Sequence, residues 1–162
     1  MMQHLLSQIK YKRISHITRE LVSRALSTMA KDQKRFAEFF SFLFAKDAVL
    51  TFVPAHTRKE KERGFNQTQL VMRETGKMTG TREMRLLKKI RETPPQMELD
   101  REQRLKNVVG VFQVVFPEGK RPERVVLVDD IWTTGATMKE CCKELKKAGV
   151  GKVWGFTLAR TV

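Results

Sequence analysis

The chain has 162 residues, 41% of them apolar and 31% charged, with a net charge of +14; that suffices for one core and falls short of two full-sized domains. The composition excludes a disordered chain, and no apolar run approaches the roughly 20 residues that a membrane span requires. The opening MMQHLLSQIKYKR turns basic too early for a secretory signal, so the expected location is cytoplasmic, and the charge favours polyanionic partners: nucleic acid, phosphorylated metabolites or an acidic membrane surface.

Residues 3–30 place Leu5, Leu6, Ile9, Ile14, Ile17, Leu21, Val22, Ala25 and Leu26 at mostly helical spacing among basic residues. The segment 31–34 interrupts that pattern. Phe36, Phe39, Phe40, Phe42, Leu43 and Phe44 then predict a second helix whose aromatic stripe is assigned to the core. Residues 48–53 are β-branched and aromatic and stop at Pro54, which predicts a buried strand. A charged loop containing Gly64 leads into a helix through about Lys77. Strands are expected at 84–90, 108–116, 124–128 and 152–159. A helix is expected from about Thr134 to Lys147, closed by Gly149. Residues 91–98, with Pro94 and Pro95, read as a mobile loop. Strands alternating with helices imply an α/β fold with a mainly parallel sheet flanked by helices. The expected organisation is one compact domain: an N-terminal helical hood at 1–47 over the ligand edge, and a core at 48–162.

The only cysteines, Cys141 and Cys142, are adjacent. On a helix they point about 100° apart and read as small packed side chains. With His4, His16 and His56 scattered, the ligand count excludes structural zinc in this chain.

Chemistry concentrates in VVLVDDIWTTGATM, residues 125–138. Four aliphatic residues suit a parallel strand covered on both faces. Asp129 and Asp130 follow at its carboxyl end, where ligands sit in open α/β sheets. Carboxylates there accept hydrogen bonds from a ribose diol or meet a hydrated magnesium ion. Thr133, Thr134, Gly135, Ala136 and Thr137 then lead into a helix whose backbone N–H groups suit a phosphate. The threonine hydroxyls add donors, and Gly135 permits close backbone approach. Acceptors for a diol beside donors for a phosphate fit a ribose 5-phosphate, such as 5-phosphoribosyl-1-pyrophosphate (PRPP) with Mg2+. The plain alternative, a threonine-capped turn with two solvated aspartates, leaves five matching positions to coincidence.

At these residues the chain resembles the PRPP-binding signature of the type I phosphoribosyltransferases. Val53-Pro54, RGFNQ at 63–67, Arg91 and Gln96, the stretch 101–107 and Leu158-Ala-Arg160 extend the resemblance over about residues 50–160. Together they look like the ComF family in its ComFC-like form, which is associated with natural competence and DNA uptake in bacteria. The resemblance implies a type I phosphoribosyltransferase-like fold in which Asp129 and Asp130 contact the ribose hydroxyls and residues 133–137 hold the 5-phosphate. It implies that Arg63 and Gly64 belong to the pyrophosphate loop, that Ile131 meets the base, and that 91–98 is the flexible catalytic loop. Asp129, Asp130, Arg63 and Arg91 are thus the catalytic candidates, with Mg2+ carried by PRPP and Asp129 and Asp130 as its candidate protein ligands.

Two departures stand out. The chain lacks the cysteine-rich zinc ribbon that many ComF proteins carry at the N-terminus. Thr133 occupies the position where purine-salvage relatives have an aspartate near the base nitrogen, and threonine cannot do that work near neutral pH.

Some residues keep two readings. His56 is a pyrophosphate contact or a plain loop histidine, Trp132 a base-stacking ring or an aromatic under the loop, and Arg101, Arg104 and Asn107 a supporting turn or a basic lid. Three functions compete: a phosphoribosyltransferase acting on an amine or base in nucleotide metabolism, a competence factor that binds PRPP or a nucleotide together with single-stranded DNA, and an adaptor with a vestigial pocket. The intact pocket weighs against the third, and the charge favours the second. Lys10, Lys12, Arg13, Lys88 and Lys89 are its DNA-contact candidates, and competence-machinery proteins such as a helicase are the implied partners.

Overall fold

The computed structural model describes residues 2–55, 65–91, 93 and 107–161, with side chains from residue 11 onward apart from Glu118. Helices α1 (Met2–Lys31) and α2 (Gln33–Leu43) precede strand β1 (Ala48–Phe52), helix α3 (Gln67–Thr79) and strand β2 (Arg82–Glu83). Strands β3 (Leu87–Lys89) and β4 (Phe112–Val114) lead to β5 (Arg124–Trp132), helix α4 (Ala136–Lys147) and β6 (Lys152–Arg160). Asp32 ends one helix and starts the next by accepting a hydrogen bond from the Arg35 N–H at 3.3 Å, as a helix-starting aspartate should.

Four parallel strands form the main sheet in the order β2-β1-β5-β6. Its two inner strands alternate side chains between two cores. Val49, Val125 and Leu127 face one core with Met138, Cys141 and Leu145 of α4. Leu50, Phe52, Val126 and Val128 face the other, with Val22 of α1, Phe39 and Leu43 of α2, and Val71 and Met72 of α3. The aliphatic run is thus covered on both faces.

Helices α1 and α2 therefore share a core with one sheet face. Tyr11 of α1 reaches Phe65, with ring centroids 5.7 Å apart. Within the aromatic stripe, Phe39 and Leu43 are buried, but Phe44 is 59% exposed. It lies past the end of α2, stacked on Phe40.

Three expected strands differ in the structure. The strand expected at 84–90 contracts to β3, which pairs antiparallel with β4, Leu87 opposite Val114, while the sheet's parallel edge strand β2 lies just before it at 82–83. The chain peels off the sheet edge where the Leu86 N–H meets the Thr51 hydroxyl at 3.1 Å. The strand expected at 108–116 contracts to β4 because residues 107–110 form a turn, with Gly110 at φ 62°. Strand β5 continues four residues past 128, since β6 offers partners that far: Asp129 opposite Thr157 and Trp132 opposite Arg160. Among the described residues, no helix is long and apolar enough to cross a membrane.

Candidate functional site

Strand order creates the site. From β1 the chain crosses through α3 to β2 on one side, and from β5 through α4 to β6 on the other. Right-handed crossovers running in opposite directions put α3 and α4 on opposite faces, as the two cores record. The carboxyl ends of β1 and β5 therefore part at a topological switch point, the usual ligand crevice of such sheets.

Two adjoining cavities open there, of about 280 Å³ and about 200 Å³, and Val53, Asp129, Asp130 and Thr137 line both. The larger is also bounded by Ile131, Trp132, Thr133, Gly135 and Ala136, so the aspartate pair and all of the expected phosphate loop except Thr134 line one cleft. Ile131 is 48% exposed. The Asp130 N–H donates to Asp129 Oδ1 at 3.0 Å, and the Ile131 N–H to Asp130 Oδ1 at 2.8 Å. Each carboxylate is thereby oriented by its successor's backbone. Burial, and then the charge of Asp130, push the Asp129 carboxyl up to about 7.

Gly135 sits at φ 73° and precedes the first turn of α4, where its carbonyl accepts from the Lys139 N–H at 2.9 Å. A Cβ at this position would lie 2.8 Å from Cε2 of Trp132. The indole packs against the core beneath the turn and also lines the larger cavity. Glycine is needed here twice, for the backbone conformation and for the space. Thr134 Oγ1 accepts from the Ala136 N–H at 3.3 Å, a local cap for the helix start.

The smaller cavity adds residues from β1, α3 and the β3–β4 ribbon. Asn66 caps α3 by accepting from the Thr68 N–H at 3.0 Å, while the Thr68 hydroxyl donates to the Val53 carbonyl at 2.6 Å. These bonds tie the end of β1 to the start of α3. Phe65, Asn66, Gln67, Thr68 and Lys89 line this side. Lys89, read from sequence as a DNA contact, is the only cationic side chain lining either cavity among the described residues. The signal was present in Leu87-Lys88-Lys89: Leu87 and Lys89 share a strand face, Leu87 is buried, and Lys88 points to solvent.

Arg91 lies apart from the cavity linings, its guanidinium donating to the carbonyls of Val109 at 2.9 Å and Gly110 at 3.3 Å. Arg63, Gly64, His56, Gln96, Arg101 and Arg104 lie outside the described residues, as does the side chain of Lys10. Lys12 and Arg13 are exposed on α1, away from the aspartates in sequence and layer.

Fold and cleft together define a mixed α/β protein with a switch-point cleft that carries two carboxylates and a helix N-terminus. No family model matches the chain. It is 29% identical over 158 residues to Competence protein F of Haemophilus influenzae, covering 96% of this chain and 66% of that protein. It is 28% identical over 159 residues to DNA utilization protein YhgH of Salmonella typhimurium, covering 98% and 66%. Identity to Competence protein ComFC of Streptococcus pneumoniae is 32% over 130 residues, covering 79% and 56%. These likenesses over most of the chain support a relationship to the ComF family. The chain spans about two thirds or less of the length of each of these relatives.

Proposed function

We propose that this is a ComF-like protein of DNA uptake and natural transformation whose cleft takes magnesium-bound PRPP or a nucleotide and whose basic surface holds single-stranded DNA. The observation that carries the ligand half is the shared wall: Asp129 and Asp130 line the same cleft as Gly135, Ala136 and Thr137. A ribose diol on the aspartates leaves the 5-phosphate within reach of the α4 N-terminus, where backbone N–H groups and the helix dipole favour an anion. The net charge of +14 and the competence and DNA-utilisation names of the relatives support the DNA half.

Two adjacent carboxylates are hard oxygen donors suited to Mg2+, which keeps several waters and binds through one or two carboxylates plus substrate phosphates. When bound, the ion would offset charge on the pyrophosphate. Asp129 and Asp130 would hold the diol and orient C1 of the ribose, and Ile131 would lie against whatever replaces pyrophosphate there.

Calorimetry with PRPP, ribose 5-phosphate, AMP and ATP, with and without magnesium, tests the ligand half. PRPP is expected to bind more tightly with magnesium than without it. No heat from any of the four under either condition would overturn it.

Lys89 favours a second reading, catalysis. Its ammonium donates to the Thr93 hydroxyl at 2.7 Å, and a cation lining the smaller cavity beside the two aspartates suits a departing pyrophosphate. In that reaction the C1–O bond to pyrophosphate breaks through an oxocarbenium-like state. A bond from C1 to an amine or base nitrogen forms, and the nitrogen's proton passes to water. Pyrophosphate release that depends on an added amine or base would favour this reading.

A further inference from the structure

We propose that the groove between α1 and α3 is a second anion site, which takes phosphates of a single nucleic-acid strand; this rests on the DNA half of the reading above and gives it a location. Tyr11, Lys12, His16 and Arg19 recur along one side of α1, and Glu74 and Lys77 of α3 face them across a space of about 450 Å³. The groove's one carboxylate is already answered. Glu74 is 4% exposed and accepts from the Lys77 ammonium at 2.6 Å. Lys12 and Arg19 are exposed, so the positive charge at the groove exceeds the negative.

Seven residues separate Lys12 from Arg19, about 10 Å along a helix. Phosphates of a stacked strand recur about every 3.4 Å of axis, so the two cations can meet different phosphates. Tyr11 separates a nucleic acid from an acidic protein. Its ring meets Phe65 at 5.7 Å and 72°, which holds an aromatic surface at the groove without tying it to a bulk core. Every base has a face that can stack on such a ring, and the hydroxyl tolerates water. Phe65 also lines the ligand cleft, so this groove and the cleft meet at one aromatic pair.

The test compares Lys12→Ser/Arg19→Ser with Lys31→Ser/Lys34→Ser, which removes equal charge from exposed sites elsewhere. Both leave the Glu74–Lys77 pair intact, and circular dichroism checks folding. Polarisation titrations with oligothymidine and with polyglutamate are run across a salt series. The groove variant should lower the log–log salt slope for oligothymidine by about 1.4, at roughly 0.7 per phosphate, and the control by far less. Tyr11→Leu should weaken oligothymidine binding about 5- to 150-fold with the slope kept, and Tyr11→Phe should restore it. Equal loss in the two charge variants would overturn the groove. Polyglutamate binding as tightly as oligothymidine, with no effect of Tyr11→Leu, would overturn the nucleic-acid assignment in favour of an acidic protein. No oligothymidine binding by the unaltered protein at low salt would remove the DNA half of the functional reading, and the groove with it.

Discussion

Asp129→Asn should move ligand affinity and stability in opposite directions. The carboxyl ordinarily titrates at 3.8 and is pushed up to about 7 in the folded protein, by burial first and by the Asp130 charge second. Below about pH 4 it is protonated in both states and costs nothing. Between pH 4 and 7 the unfolded chain gives up its proton first, so folding is penalised increasingly, and above 7 the penalty is constant. At roughly 1.4 kcal/mol per pH unit the ceiling is about 4 kcal/mol. The group is half-buried beside an open cleft, and water reduces that to about 1–3 kcal/mol. The asparagine can keep the one bond the structure assigns, from the Asp130 N–H. Urea unfolding should therefore find the variant more stable by about 1–3 kcal/mol at pH 8, with the gain vanishing near pH 4. Calorimetry at pH 8 should find PRPP binding weaker by about 1.5–3 kcal/mol, the scale of a hydrogen bond to a charged group. A variant less stable at pH 8, or a gain unchanged at pH 4, would refute the burial argument. Unchanged affinity would remove the ribose from Asp129.

Gly135→Ala should cost more than about 1 kcal/mol, because a positive φ and the Trp132 ring both resist a Cβ; thermal melts check it, and calorimetry should show PRPP binding lost in Gly135→Val. Thr68→Val keeps the shape but removes a buried hydroxyl within reach of both the Val53 carbonyl and Asn66 Oδ1, so denaturation should show a loss of about 1–3 kcal/mol. Lys89→Ala should weaken PRPP far more than ribose 5-phosphate in parallel titrations, since only the former carries a second anionic group; equal losses would put Lys89 beside the 5-phosphate.

Which features were legible in the sequence follows from how local their physics is. The strand–Asp–Asp–turn–helix segment could be read directly because each step uses neighbouring residues: an aliphatic run, two carboxylates at its end, and a glycine at a positive φ. The helix break at Asp32 and the end of β1 before Pro54 were legible for the same reason.

Other features depended on neighbours distant in sequence. A continuous VVLV run does not say which side chains face which helix; the opposed crossovers assign Val125 and Leu127 to α4 and Val126 and Val128 to α1, α2 and α3. Strand β5 is longer than its aliphatic run because β6 supplies the partner, and the ribbon leaves the sheet where Thr51 takes the Leu86 N–H. Lys89 reads as surface charge until the fold lines one cavity with it and the two aspartates, and Tyr11 reads as part of a basic stretch until Phe65 meets it. Sequence alone determined the pairing of two carboxylates with a glycine turn at a helix start, since hydrogen bonding and backbone conformation act over a few residues. Tertiary structure alone decided what stands across the cleft from them, because strand order and helix packing bring residues from separate elements to one edge.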